Sequence, residues 1–521
     1  MQLIKLYKVE IIIGILIFVL YFVSRLLFLT NLPIFTDEAI YIRWAQIALH
    51  DANWRFISLT DGKQPLFIWI MMFFLKFIQD PLTAGRLLSV LAGAGSIIGL
   101  WLLSWELFKN KTVSFLSALL YVFYPLALIH DRLAIYDSMV AMLYIWALYF
   151  SILFVRKVSL TRSYNLGFIL GASVLTKSGG FISMALLPFT LFLFNFHQQD
   201  LKQKLIRFIG FGIIAVIIGN LMYGILRLSP FYGTIATKND VFLYTLNEWL
   251  QHPLDWKVSL FLWNLHGMLG WFIQYLNVLS VVFLLIGLAI GSYWKEKAVL
   301  AIYFLLPFLY TGAFGKVLFP RYILFMTVVL LPIIALGIIE SGKRLSGAFK
   351  HLNYAAVTTI LFILVILPSA YVSYMWITDP LNAPIPTIDK GQYVGSWPSG
   401  WGVKEAIDYI KSQSVNQKVI LATQGTFGLM PFSFEMYFQG DPNVATKSYW
   451  PIEKTPPADL LALAKTMPVY MYFYQPCDNC PLTGVAPVGW PVTQVFSISK
   501  NNGSVHVDLY KFNSPAVYAK K

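Results

Sequence analysis

Val9-Glu-Ile-Ile-Ile-Gly-Ile-Leu-Ile-Phe-Val-Leu-Tyr-Phe-Val-Ser-Arg-Leu-Leu-Phe-Leu29 is an almost unbroken apolar run, and the acidic pair Asp37-Glu38 follows soon after it. About 20 apolar residues are long enough to cross a hydrocarbon core of roughly 30 Å as a helix. A cleaved signal peptide has a shorter apolar region and a small-residue cleavage site, whereas Arg25 and then bulky Leu26, Leu27 and Phe28 fill the end of this segment. The run therefore reads as a permanent first helix, and the side of the membrane on which Asp37 and Glu38 emerge decides what they can do.

Working outward, 58% of the residues are hydrophobic and only 12% are charged, the balance of a polytopic membrane protein rather than a soluble one. The formal charge of +14 does not indicate nucleic acid, because the basic residues sit between apolar runs instead of clustering on a solvated face. Lys5 and Lys8, Lys109 and Lys111, Arg156 to Arg162, Lys202 to Arg207, Lys295 and Lys297, and Lys343 to Lys350 mark cytoplasmic turns by the positive-inside rule. Between them the sequence predicts about 11 spans, near 9–29, 83–107, 112–129, 138–155, 163–176, 179–196, 208–228, 270–293, 298–315, 318–340 and 353–375. With the N-terminus cytoplasmic, that odd number sends the C-terminal part outside, in a multi-pass protein of the plasma membrane.

Pro65 to Ile78 is apolar but short for a span and reads as a re-entrant or interfacial helix. Counting it as a crossing would put Lys109 and Lys111 outside. The first outer loop then runs from Thr30 to about Leu82 and includes an amphipathic stretch, Glu38 to His50, in the interface plane. A second outer loop spans His130 to Asp137, and a third runs from Ser229 to about Leu269.

After Trp376 the composition turns to Pro, Gly and polar residues, with short β-like and helical runs at Lys404–Gln413, Lys418–Thr423, Ala458–Lys465, Val469–Tyr474, Val492–Ser497 and Val505–Phe512. The expected division is a membrane domain, 1–375, and an extracytoplasmic α/β domain, 376–521. Cys477 and Cys480 form a local disulfide or remain a free thiol pair; no further His or Cys cluster supplies a zinc site. Trp397 to Trp401 reads either as a sugar-stacking surface or as an interfacial aromatic anchor.

Ionisable residues at a membrane are costly and mark function by default. Asp37, Glu38, Lys63, Arg132, Asp137, Lys177, Arg321 and Tyr322 all fall on the outer side. Singly each has a plainer role: Glu38 as a helix cap, Lys63 snorkelling to headgroups, Arg321 on a lipid phosphate. Together they suggest one site.

Phe35-Thr-Asp-Glu-Ala39, Gly62-Lys63-Gln64-Pro65-Leu66, Arg132-Leu-Ala-Ile-Tyr-Asp137, Gly171-Ala-Ser-Val-Leu-Thr-Lys177-Ser-Gly179 and Pro320-Arg321-Tyr322, in that order, resemble membrane glycosyltransferases of the GT-C superfamily. The nearest branch is that of the protein mannosyltransferases and the bacterial aminoarabinose transferases of lipid A. The family strings usually read Lys-Pro-Pro-Leu and Thr-Lys-Gly-Pro, and here Gln64 and Ser178-Gly179 depart from them. The resemblance implies transfer of a sugar from a polyprenyl-phosphate donor to a hydroxyl of a lipid, protein or glycan acceptor, by inverting displacement on the extracytoplasmic face. It implies Asp37 as general base and Asp137 as a second acid, with Glu38 as helix cap or supporting partner. Lys63, Arg132, Arg321 and Tyr322 are then expected on the donor phosphate, and Lys177 is a further candidate. Cations alone can neutralise a lipid monophosphate, so no metal is expected, with Mg²⁺ or Mn²⁺ held by the two carboxylates as the alternative. The competing function is a lipid-linked sugar transporter or flippase, which would be expected to show repeated halves or broken helices about a midplane site; no internal repeat is visible in the sequence.

Overall fold

A computed structural model of the chain describes residues 8–196, 199–349, 351–474, 484–500 and 505–513. Cys477 and Cys480 lie outside the described residues, and so does their pairing. Among the described residues, seven helices are long and apolar enough to cross a membrane: Lys8–Leu26, Pro81–Phe108, Asp137–Arg156, Leu201–Leu228, Trp294–Phe314, Pro320–Ala348 and Tyr354–Thr378. Two bent pairs raise the number to nine when each pair counts as one span.

Lys111–Phe123 and Pro125–Asp131 meet at 64°. The break falls where Pro125 has no N–H to continue the ladder, so the expected span 112–129 is two helices. Leu254–Leu276 and Val278–Ala289 meet at 99°, which corrects the expected span 270–293. Asn277 stands at the corner with φ 64°, and its side chain accepts the backbone N–H of Ser280, ending one helix and capping the next. The helix already begins at Leu254, so much of the expected third loop, Ser229–Leu269, is helical, and Thr234–Phe242 adds a further short helix before it. Leu66–Leu75 is a 10-residue helix, about 15 Å long and too short to cross. The expected spans 163–176 and 179–196 correspond to Leu160–Thr176 and the broken apolar stretch Ser178–Leu193.

Buried charges tie the helices together beside the site. Arg25 of the first helix donates Nε to Asp131 Oδ2 at 3.3 Å, and the same carboxylate accepts from Tyr21, Tyr121 and Ser138. Asp131 is thereby hydrogen-bonded on both oxygens, the condition under which a buried charge is tolerated.

The C-terminal sheet has the order β4-β3-β5-β7-β6: β3 Val419–Gln424, β4 Val444–Tyr449, β5 Val469–Phe473, β6 Val492–Lys500 and β7 Val505–Phe512. Strand β3 is parallel to β4 and β5, while β7 lies antiparallel to β5 and β6. The continuously buried strands β3 and β5 are covered on one face by the helices Val403–Ser414 and Leu429–Glu435 and on the other by Ile452, Leu460 and Trp490. A separate ribbon joins this part to the start of the chain. Strand β1, Ile34–Phe35, pairs antiparallel with β2, Ser399–Gly400, and Thr36 donates its backbone N–H to Pro398 at 2.9 Å. The Trp397–Trp401 stretch is thus a strand partner for the residues just before Asp37.

Candidate active site

Five chain segments bring charged side chains together. Asp37 lies in the first turn of the Thr36–His50 helix, and Asp137 begins the Asp137–Arg156 helix, so both carboxylates sit where a helix dipole favours negative charge. Lys63 follows the turn Ile57–Asp61 and Gly62, Lys177 ends the Leu160–Thr176 helix, and Arg321 stands in the turn Pro320–Ile323. Gly62 has φ 66°, and a Cβ there would come within 2.5 Å of both Lys238 Cβ and the Thr234 carbonyl. Only glycine fits a left-handed turn pressed this closely against another segment.

Asp37 is held from two sides. Arg321 Nη1 donates to Oδ2 at 3.1 Å, and Lys63 Nζ lies 3.6 Å from Oδ1. Burial alone would raise this carboxyl, but Lys63 and then Arg321 outweigh it and keep Asp37 below the usual carboxylate range. Lys63 also lies 3.4 Å from Asp61 Oδ2, and Asp61 Oδ1 takes Lys238 Nζ at 2.6 Å. Burial opposes the charge on Lys63, yet Asp37 and Asp61 hold its pKa above the ordinary lysine value. The ammonium sits 4.8 Å from the Tyr41 ring centre and 5.8 Å from that of Trp44, a cation–π seat facing the carboxylates.

Asp137 pairs with Lys177 Nζ at 3.2 Å, and Lys177 lies 4.8 Å over the Tyr322 ring. The charge of Arg321 acts on both Asp37 and Asp137, so the two carboxylates share one electrostatic neighbourhood. Gln64 and Ser178, two of the positions where the sequence departs from the family strings, meet here: Gln64 Nε2 donates to Ser178 Oγ at 2.7 Å.

Two of the expected residues lie outside the cluster, Glu38 in the capping and supporting place expected of it and Arg132 away from the place expected. Glu38 is fully buried and accepts four hydrogen bonds: from Arg86 Nε and Nη2, each 2.8 Å, from Phe35 N at 3.0 Å and from Ala134 N at 2.7 Å. It fixes the helix start that carries Asp37 to the loop that carries Asp137. Arg132, expected on a donor phosphate, is not brought to the cluster. Its guanidinium donates to the carbonyls of Ser24, Arg25, Leu27 and Phe28, closing the C-terminal end of the first helix. Those carbonyls lack helical partners, and the cation answers them.

Sequence reasoning missed Asp61 and Lys238, which extend the charged cluster, and His130, Tyr393 and Asp389, which adjoin it. Asp61 stands next to the Gly62-Lys63 string. Asp389 and Tyr393 come from beyond the last long helix, where nothing local ties them to the site.

The architecture has known counterparts. ArnT from Cupriavidus metallidurans bound to undecaprenyl phosphate superposes with a TM-score of 0.55 at 11% identity, over 97% of this chain and 98% of that one. This is the fold of the GT-C glycosyltransferases. The archaeal oligosaccharyltransferase AglB from Archaeoglobus fulgidus, in complex with an inhibitory peptide and a dolichol-phosphate, matches this chain with a TM-score of 0.52 at 13% identity; 80% of the chain is covered, spanning 62% of AglB. Residues 62–223 match the family model described as dolichyl-phosphate-mannose-protein mannosyltransferase. Among curated proteins no sequence relative matches. At these identities the likeness is one of fold, and the chemistry rests on the residues of this chain.

Proposed function

We propose that this GT-C protein transfers a glycosyl group from a polyprenyl-phosphate donor to an acceptor hydroxyl on the extracytoplasmic face, with inversion and with Asp37 as general base. The observation that carries the reading is the placement of Asp37 between Lys63 and Arg321. In the reaction the bond from the anomeric carbon to the phosphate oxygen breaks as the bond to the acceptor oxygen forms. The hydroxyl proton passes to Asp37, and the departing lipid monophosphate gains one negative charge. As Asp37 is neutralised, its hold on Lys63 and Arg321 weakens at the moment the phosphate needs them. One negative charge is thus exchanged for another beside the same two cations, with little reorganisation.

Asp137, paired with Lys177, orients the acceptor or the sugar in this scheme, and Tyr322 and Lys177 line the same side. The carboxylates are poorly disposed for Mg²⁺ or Mn²⁺: both oxygens of Asp37 and one of Asp137 already face cations, and Lys63, Lys177 and Arg321 would repel a divalent ion. Their charge supports a metal-independent reaction. The acceptor class, a lipid, protein or glycan hydroxyl, is set by what enters between the membrane helices and the C-terminal part.

The test is Asp37→Asn, assayed for release of undecaprenyl phosphate from a sugar-loaded donor in the presence of a membrane extract as acceptor. The variant should lose at least about 100-fold in turnover while still binding undecaprenyl phosphate. Full activity in Asp37→Asn would remove the base from the mechanism.

A further inference from the structure

Asp389 lies in the short helix Thr387–Lys390, between the last long helix and the sheet, and its carboxyl is completely buried. Oδ2 accepts the Tyr275 hydroxyl, whereas Oδ1 has no hydrogen-bond partner among the described residues. Buried polar atoms are nearly always paired, and each exception calls for a reason. This one has company: Arg321 Nε, Gln392 Oε1 and Trp376 Nε1 are likewise buried and unpartnered among the described residues.

Three of these residues adjoin Tyr393, Trp376 by ring contact and Asp389 and Arg321 by their charges, and Gln392 precedes it in the chain. The Tyr393 ring meets Phe35 edge-on at 5.0 Å and Trp376 at 6.3 Å, while the Arg321 guanidinium lies 5.6 Å over Phe35. The Tyr393 hydroxyl is 3.1 Å from His130 Nε2, and His130 Nδ1 is 2.7 Å from the Leu126 carbonyl. A carbonyl only accepts, so Nδ1 carries the hydrogen and Nε2 accepts from Tyr393. The tyrosine is held rigidly beside Arg321, whose charge, with that of Asp137, acts on Asp389. Arg321 therefore belongs to both groups, with Nη1 on Asp37 and Nε among the unpartnered atoms.

The set contains two donors, Arg321 Nε and Trp376 Nε1, and two acceptors, Asp389 Oδ1 and Gln392 Oε1. That mixture suits a polyol, in which every hydroxyl both donates and accepts. It does not suit an isoprenoid chain, which does neither, or a phosphate, which the two oxygens would repel.

We infer that the segment 387–395 recognises the transferred sugar, with Asp389 Oδ1 accepting a hydrogen bond from one of its hydroxyls. This rests on the proposed lipid-phosphate donor: a sugar whose phosphate is held by Lys63 and Arg321 has its ring within one residue's reach of Arg321. Burial, tempered by the Tyr275 bond, pushes the Asp389 carboxyl up to about 7, so the group is spared a full buried charge when no hydroxyl meets it.

The experiment compares melting of the purified full chain in detergent with undecaprenyl phosphate and with undecaprenyl-phosphate mannose, glucose and arabinose. Wild type should be stabilised by the plain lipid, and further by at least one sugar-bearing lipid. In Asp389→Ala the additional shift should vanish, equivalent to about a tenfold loss of affinity for that lipid, while the plain-lipid shift remains. If the alanine variant does not fold, Asp389→Leu, which keeps the volume, is read the same way. An unchanged additional shift in the variant, or none in wild type with any of the sugars, overturns the inference while the lipid-phosphate reading stands. No wild-type shift with undecaprenyl phosphate removes both.

Discussion

Replacing Glu38 by Gln changes one oxygen to an amide nitrogen at a site where both oxygens are fully used. Oε1 accepts from Arg86 Nε and Ala134 N, and Oε2 accepts from Arg86 Nη2 and Phe35 N. Whichever way the amide is turned, its NH₂ faces two donors, and two buried hydrogen bonds are lost together. Arg86, completely buried, is left without its counter-charge, although it still reaches the carbonyls of Leu29, Leu32 and Pro33. Breaking a buried pair by removing one partner costs about 3–5 kcal/mol, a factor of at least about 100 in the unfolding equilibrium. The control is Glu10→Gln, which removes the same charge from an exposed pair with Lys111 and should leave stability close to that of wild type. Both are measured by titrating the protein in mixed micelles with increasing SDS and following loss of tryptophan fluorescence. A Glu38→Gln variant within about 1 kcal/mol of wild type would refute the argument that this carboxylate holds the two loops together.

Lys63→Gln should weaken undecaprenyl phosphate binding at least about tenfold in a direct lipid-binding assay, because it removes a charge-assisted contact. Arg132→Gln should leave that affinity unchanged and lower thermal stability instead, since its guanidinium is occupied by the carbonyls after Ser24. The lowered pKa of Asp37 also has a definite pH signature: its ionic stabilisation is fully present above the unfolded value of about 3.9 and is lost as pH falls through the depressed folded value. The stability gap between wild type and Asp37→Asn should therefore be constant from neutral pH down to about 5 and shrink below about 4, as read from melting curves across that range. Ser399→Pro, which introduces a proline into β2 of the two-stranded ribbon, should reduce turnover with little change in undecaprenyl phosphate affinity.

Charge and hydropathy carried much of the fold. Lys63, Asp137, Lys177 and Arg321 stand out because an ionisable group next to a membrane helix is expensive, and the structure gathers them around Asp37. In the C-terminal part the runs that became β3, β5, β6 and β7 are apolar or alternate clearly. Strand β4, Val-Ala-Thr-Lys-Ser-Tyr, was not legible because it is a half-exposed edge strand with little apolar pattern. The corner at Asn277 escaped notice because hydropathy is high on both sides of it and only the backbone angle marks the turn. The placement of Arg132 depends on where the first helix ends in space, and that of Asp389 on a contact with Tyr275, more than a hundred residues away. Neither distance leaves a local trace.

The ribbon between Ile34–Phe35 and Ser399–Gly400 sets the timing of assembly. The strand leading into the proposed catalytic carboxylate is synthesised near the start of the chain, and its partner only after the membrane helices are complete. During biosynthesis Asp37 consequently waits, its backbone neighbour missing, until residue 400 has been made. A chain stopped before that point would hold the charged residues of the site without the strand that fixes their entry.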